Sequence, residues 1–251
     1  MENKIPDDQS QKKEEVELLD SLKERNRKWR CLGADCPDSC CFMFLEAVIF
    51  IKEIPRLSHY FPLSFNILNL PDGKIESSLS IFLKTPLEIS HCVYLREGEG
   101  CILGEERPLV CKQRPFCMVK NLEGQYKVAV KPSCPGFSGE SGHSILMPDG
   151  TISSHIYSDC VIPAISVAET AEETQEFVQT LLKHDLIAAG CCEHRGQKVY
   201  MHLIDAQKVL ALPRDVHDSL QEKGYIDLIL AHIKSIVHMR RFIDIYLDSK
   251  R

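Results

Sequence analysis

Cysteine is the residue type with the most chemistry to offer in this chain. Four of its twelve cysteines fall in one stretch, Cys31-Leu-Gly-Ala-Asp-Cys36-Pro-Asp-Ser-Cys40-Cys41. All-sulfur donor sets favour zinc or iron–sulfur clusters over oxygen-preferring metals. Gly33, Asp35, Pro37, Asp38 and Ser39 predict a loop, as a metal cage requires. The adjacent Cys40 and Cys41 point in different directions, opposite in a strand and about 100° apart in a helix. They share one centre only through a tight turn, and otherwise face two centres or two atoms of one cluster.

Further donors follow at Cys92, Cys101 and Cys111, in His91-Cys92-Val-Tyr-Leu-Arg-Glu-Gly-Glu-Gly-Cys101 and on to Arg107-Pro108-Leu-Val-Cys111. Steps of nine and ten residues are too wide for a single knuckle and suit ligands delivered by successive turns. Cys134 closes a predicted hairpin and so returns towards the Cys111–Cys117 segment. Cys31, Cys36, Cys40, Cys41, Cys92, Cys101, Cys111 and Cys134 are therefore the candidate metal ligands. They fill two four-coordinate sites, or one cluster with thiols to spare. An iron–sulfur cluster is preferred to zinc, because the set is all sulfur and Cys134 precedes proline, as in some cluster motifs. Cys117 lies near enough to join, and Cys160 reads as a small buried apolar residue. Cys191, Cys192 and His194 put three donors on one loop, one short of a tetrahedron. The other histidines form no metal-binding pair. A thiol redox sensor is a separate reading, with Cys40 and Cys41 as an accessible, metal-free reactive pair.

The elements that must position these residues are legible in part. Residues 1 to about 13 are polar. Apolar positions at helical spacing predict a helix from Glu14 to Trp29, acidic early and basic late. Ile75 to Leu83 alternates as a strand. Met118 to Val130 predicts a hairpin turning at Glu123-Gly124, and Pro148-Asp149-Gly150 predicts a second. Gly136, Gly139 and Gly142 lie in a loop whose amides suit a cluster or an anion as well as plain flexibility. Thr170 to Leu186 reads as an amphipathic helix with a capping box from Thr170 and Glu173, ended by Gly190. A strand from Lys198 to Ile204 and a short helix from Asp205 follow. Pro213 opens a helix that stops at Gly224, and a long helix runs from Tyr225 to Leu247.

With 44% hydrophobic and 26% charged residues, the chain can bury a real core. A net charge of -6 argues against a general nucleic-acid binder. The start, Met-Glu-Asn-Lys-Ile-Pro-Asp-Asp-Gln, has no apolar signal core, and no apolar run reaches membrane-spanning length. A cytoplasmic location with reduced thiols is the expectation.

Two resemblances bear on these residues. The set Cys31, Cys36, Cys40-Cys41, Cys92-Val-Tyr-Leu, Cys101 to Arg107-Pro108-Leu-Val-Cys111-Lys112 and Cys134-Pro135-Gly136 resembles the YkgJ-type cysteine-cluster family, described as a zinc- or iron-chelating domain. The likeness covers about residues 31–140, with Lys112 where arginine is usual. Asp38-Ser39-Cys40-Cys41 is similar to the branch containing flagellin lysine N-methylases. That branch implies iron–sulfur and, as an alternative activity, S-adenosylmethionine-dependent methylation of protein lysines. Neither a Gly-x-Gly-x-Gly strand-turn nor the cysteine spacing of radical S-adenosylmethionine enzymes accompanies it. Further on, Phe177 to Leu186, Leu203-Ile204-Asp205, Ala211-Leu212-Pro213 and Leu220 to Gly224 with Ala231-His232-Ile-Lys-Ser235 resemble the tail of the SapC family. That likeness spans about residues 170–243 and implies an interaction or substrate-presenting module.

The expected fold class is α+β. It comprises an N-terminal tail and helix over 1–30, a cysteine-cluster domain with small hairpins over 31–150, and a helix-rich, SapC-like module over 151–251. The expected function is metal binding, by zinc or an iron–sulfur cluster, in a protein that acts on or with a partner protein or peptide.

Overall fold

The computed structural model describes residues 17–18, 28–32, 46–70, 75–82, 92–96, 100–137 and 142–248. In chain order the first elements are β1 (Glu17–Leu18), β2 (Lys28–Trp29), β3 (Glu46–Val48), α1 (Ile54–Leu57), β4 (Leu63–Asn69) and β5 (Ile75–Phe82). The cysteine-bearing part continues with β6 (Leu95–Arg96), β7 (Gly100–Cys101), α2 (Leu109–Lys112), β8 (Phe116–Lys120), β9 (Tyr126–Val130) and β10 (His143–Ser144). Then come α3 (Ser154–Ile156), a π-helical turn (Tyr157–Val161), α4 (Ile162–Lys183), β11 (Ile187–His194) and β12 (Gln197–Ile204). Four helices close the chain: α5 (Ala206–Leu210), α6 (Arg214–Glu222), α7 (Tyr225–Ser235) and α8 (Met239–Asp248). Strands and helices are mixed without βαβ repetition, so the class is α+β, as expected.

The main sheet is antiparallel, in the order β11-β12-β4-β5-β3. It takes three strands from before residue 150 and two from after it. Alternation along β4 and β5 puts Leu63, Phe65, Leu79 and Ile81 in the core. Phe177, Val178 and Leu181 of α4 share that core with Tyr225, Ile229, Phe242 and Ile243 from the last two long helices. A second, smaller core gathers Phe116, Val130, Ile145, Ile156, Cys160 and Val161, with Trp29 against it.

Both hairpins form. In the first, Gly124 has φ +77°, a conformation only glycine adopts freely. The Asn121 side chain accepts from the Glu123 and Gln125 amides. The second is reduced to a single bridge between Leu146 and Ile152.

Three expectations need correction. The described residues of the expected Glu14–Trp29 helix lie in strands: β1 pairs with β9 and β2 with β10. Long-range pairing overrides a weak local preference. The Thr170 helix starts earlier, at Ile162, so Thr170 is no cap. Its hydroxyl donates to the Ser166 carbonyl within the helix. Gly190 does not end that helix; it lies inside β11. Finally, the Tyr225–Leu247 helix breaks into α7, a 3₁₀ turn at Ile236–His238 and α8. Ser235, at the break, donates its hydroxyl back to the His232 carbonyl at 2.6 Å, competing with the helical ladder. The polar first residues 1–13 and the loop 33–41 lie outside the described residues. Among the described residues, no helix is long and apolar enough to cross a membrane.

Candidate functional site

The segment Gly104–Cys111, with Arg107-Pro108-Leu-Val-Cys111 in it, is held by a brace that its own sequence does not contain. Glu53 is only 3% exposed. One carboxylate oxygen accepts from the Phe50 amide at 3.0 Å and the other from the Leu109 amide at 2.8 Å. The second bond caps the first turn of α2. Burial pushes the Glu53 carboxyl above its ordinary range, opposed by those two amides and by Arg56. Arg56 in turn donates to the Glu105 and Arg107 carbonyls and pairs with Glu106 at 2.7 Å. The chain from Gly104 to Cys111 is thus fixed by Glu53, just before α1, and by Arg56 within it.

Cys92 is buried in the main core, and its carbonyl accepts from the Leu95 amide. Cys101 lies opposite Leu95 in the β6–β7 pair. Both cysteines are in electrostatic range of the Tyr94 phenol. Cys101 and Cys111 are half-buried against the main core.

Cys31 and Cys134 belong to a different neighbourhood, beside the smaller core. The Arg30 amide donates to the Gly136 carbonyl at 3.2 Å, which joins the Cys31 segment to the Cys134 segment. Gly136 makes that approach possible, because a Cβ there would collide with the Arg30 carbonyl. Gly142 has φ +119° and packs equally close to the Trp29 backbone. Gly136 and Gly142 therefore serve close backbone packing around β2. Cys160 lies in the π-helical turn, 2% exposed as expected of a buried thiol, within electrostatic range of Cys31 and Arg107. Burial pushes the Cys160 thiol up to about 12, so it stays protonated and unreactive. π-turns are rare and often mark functional positions.

Cys36, Cys40 and Cys41 lie outside the described residues. Among the described residues, no group of three or more His, Cys, Asp or Glu is arranged to hold a metal ion, and no disulfide joins any of the nine cysteines. Cys117 sits on β8 opposite Ala129. Cys191 and Cys192 are neighbours on a strand, Cys191 exposed and Cys192 half-buried, so their side chains point to opposite faces. His194 pairs with Asp244 instead, at 3.0 Å. These three do not converge on one centre.

Sequence reasoning overlooked the Glu53–Arg56 brace. Its signal was there: one acid within the apolar run Ile49-Phe50-Ile51-Lys52-Glu53-Ile54. The role of Ala231-His232-Ile-Lys-Ser235 was also hidden. His232 is fully buried and stacks on Phe65 at 4.8 Å, and Ser235 accepts from the Leu63 amide at 3.0 Å. The motif fastens α7 to β4.

A family model described as SapC matches residues 40–242. This covers well over half of the 251 residues, and the chain belongs to the SapC family. The match begins far upstream of the tail-like stretch at 170–243 and takes in the segments carrying Cys92, Cys101, Cys111 and Cys134 as well as the closing helices. No curated protein and no solved structure matches the chain.

Proposed function

We propose that this SapC-family chain is a metal-binding cysteine-cluster protein. It would hold an iron–sulfur cluster or zinc through Cys31, Cys36, Cys40, Cys41, Cys92, Cys101, Cys111 and Cys134, in a reduced, cytoplasmic setting. The cysteine-bearing hairpins over 31–150 are the metal-binding part in this reading, and the helices after residue 151 engage a partner protein or peptide. The resemblance to the YkgJ-type family supports the same ligand set. One observation carries the reading: segments bearing Cys31 and Cys134, distant in sequence, are joined by the Arg30–Gly136 hydrogen bond. The braced Gly104–Cys111 segment adds support, since a preset loop lowers the entropy cost of gathering ligands. The metal supplies a cross-link between distant loops and thereby folding energy.

Anaerobic purification followed by metal and sulfide analysis and a visible spectrum tests this. Iron with sulfide and a brown sample is the expected result, and stoichiometric zinc in a colourless sample keeps the site but changes the metal. A metal-free protein overturns the proposal. Cys134→Ser should lower metal content and stability together; unchanged occupancy would remove Cys134 from the ligand set.

A further inference from the structure

A pocket of about 190 Å³ opens between the segment that follows α1, the residues flanking the β6–β7 pair and the start of α8, with Tyr60, Phe61, Tyr94, Ile102, His238 and Arg241 among its walls. Its floor is aromatic. The rings of Phe61 and Tyr94 meet edge to face at 5.3 Å, an arrangement that leaves ring faces for a further apolar group. For scale, a dry apolar cavity of about 150 Å³ accepts benzene, so this pocket has room for a ring and a short substituent.

The polar groups on its walls are few and uneven in charge. Glu106 carries a negative charge, but Arg56 neutralises it at 2.7 Å. Arg241 has no hydrogen bond or ion pair with any acid among the described residues, and it stands within electrostatic range of the Tyr94 phenol and of His238. Tyr94 is 4% exposed, yet its hydroxyl has no hydrogen-bond partner among the described residues. A phenol is protonated at neutral pH and so can donate a hydrogen bond. The His238 ring is anchored on the Ser58 backbone, and burial favours its neutral form. An aromatic slot thus ends in a guanidinium and a phenol hydroxyl that are both unmatched among the described residues.

From this geometry we infer that the pocket binds a small carboxylic acid with an aromatic or compact apolar body of roughly ten non-hydrogen atoms. The carboxylate meets Arg241 and Tyr94, and the apolar body lies on Phe61, Ile102 and the Tyr94 ring. A guanidinium receives a carboxylate through paired N–H donors. Neither a metal nor the cysteine loop over 33–41 is needed for this binding, so it stands or falls separately from the proposal above.

The test is calorimetric titration of the full chain with 3-phenylpropanoate and with its neutral counterpart 3-phenylpropan-1-ol. The acid should bind saturably, in the millimolar range or tighter, and at least about tenfold more tightly than the alcohol. Arg241→Gln, at an exposed position, should keep the circular dichroism spectrum. It should weaken the acid about tenfold or more and leave the alcohol unchanged. Ile102→Trp, which fills the slot, should abolish binding of both. No saturable binding of the acid, equal affinity for acid and alcohol, or undiminished acid binding in either variant overturns the inference.

Discussion

Glu53 shows how much one side chain can organise. Its two oxygens each serve a different amide, Phe50 on its own segment and Leu109 on the cysteine-bearing one. Glutamine is isosteric but has one acceptor; its amide nitrogen would face one of those N–H groups. Glu53→Gln should therefore cost about 1–3 kcal/mol, the penalty for a buried donor left unpaired, and Glu53→Ala at least as much. Urea denaturation followed by circular dichroism measures both. A glutamine variant as stable as the parent would show that the brace contributes little. His232 is the other residue to watch. Fully buried, with neither ring nitrogen hydrogen bonded among the described residues, it has its basicity pushed down to about 3 by burial. The unfolded chain binds a proton there near pH 6.5 and the folded chain does not. Its contribution to stability is thus complete above pH 6.5 and is lost as pH falls from there towards 3, by up to about 1.4 kcal/mol per unit. His232→Leu leaves no buried nitrogen unpaired, so it should be near neutral at pH 7 and flatten the acid limb of the stability profile. Parallel profiles for parent and variant would refute this.

At the scale of elements, β2 is the most exposed to disruption, because its place depends on glycine. An alanine methyl at Gly136 would strike the Arg30 carbonyl, and nearby it would crowd the indole nitrogen of Trp29. Gly136→Ala should destabilise the protein by about 1–3 kcal/mol, as overpacking does. Trp29 is the single tryptophan, so its fluorescence reports on this strand alone. A red-shifted emission is expected in the variant, and an unchanged spectrum with unchanged stability would contradict the packing described. The same elements show what the sequence disclosed. Hairpins marked by Glu123-Gly124 and Pro148-Asp149-Gly150 were legible because turn chemistry is local. So were β5, β12, the short helix after Asp205 and the Pro213–Gly224 helix. Strands β1 and β2 were not, since two-residue pairings with β9 and β10 leave no periodic trace. The start of α4 was missed because Thr170 and Glu173 imitate a cap within a longer helix. Of the candidate site, the cysteines were plain. The brace, the joining of the Cys31 and Cys134 segments and the Arg241 slot were not, because each depends on residues brought together from far apart.

At the scale of the molecule, two cores divide the cysteines. Cys92, Cys101 and Cys111 stand against the larger core, and Cys31 and Cys160 beside the smaller one. Arg107 spans the two, its carbonyl held by Arg56 and its charge felt at Cys160. The SapC match covers both regions, so residues 40–242 are one family unit. If the proposed metal site is fed from both cores, loss of its metal would be felt across the whole unit, and the Cys134→Ser stability measurement would read it as a lower melting temperature.

The bond from the Leu63 amide to Ser235 has a consequence for how the protein is made. Its partners are 172 residues apart in sequence, and β4 finds its neighbour β12 only at the His202–Phe65 bridge. At roughly 5–20 residues per second of synthesis, β4 waits on the order of ten seconds with one edge open before β12 and α7 emerge. Contacts of such high order make folding slow and leave a strand edge available to other chains meanwhile. A nascent chain halted before residue 197 would carry that edge uncovered, an aggregation-prone species that a cell producing this protein must keep apart until translation ends.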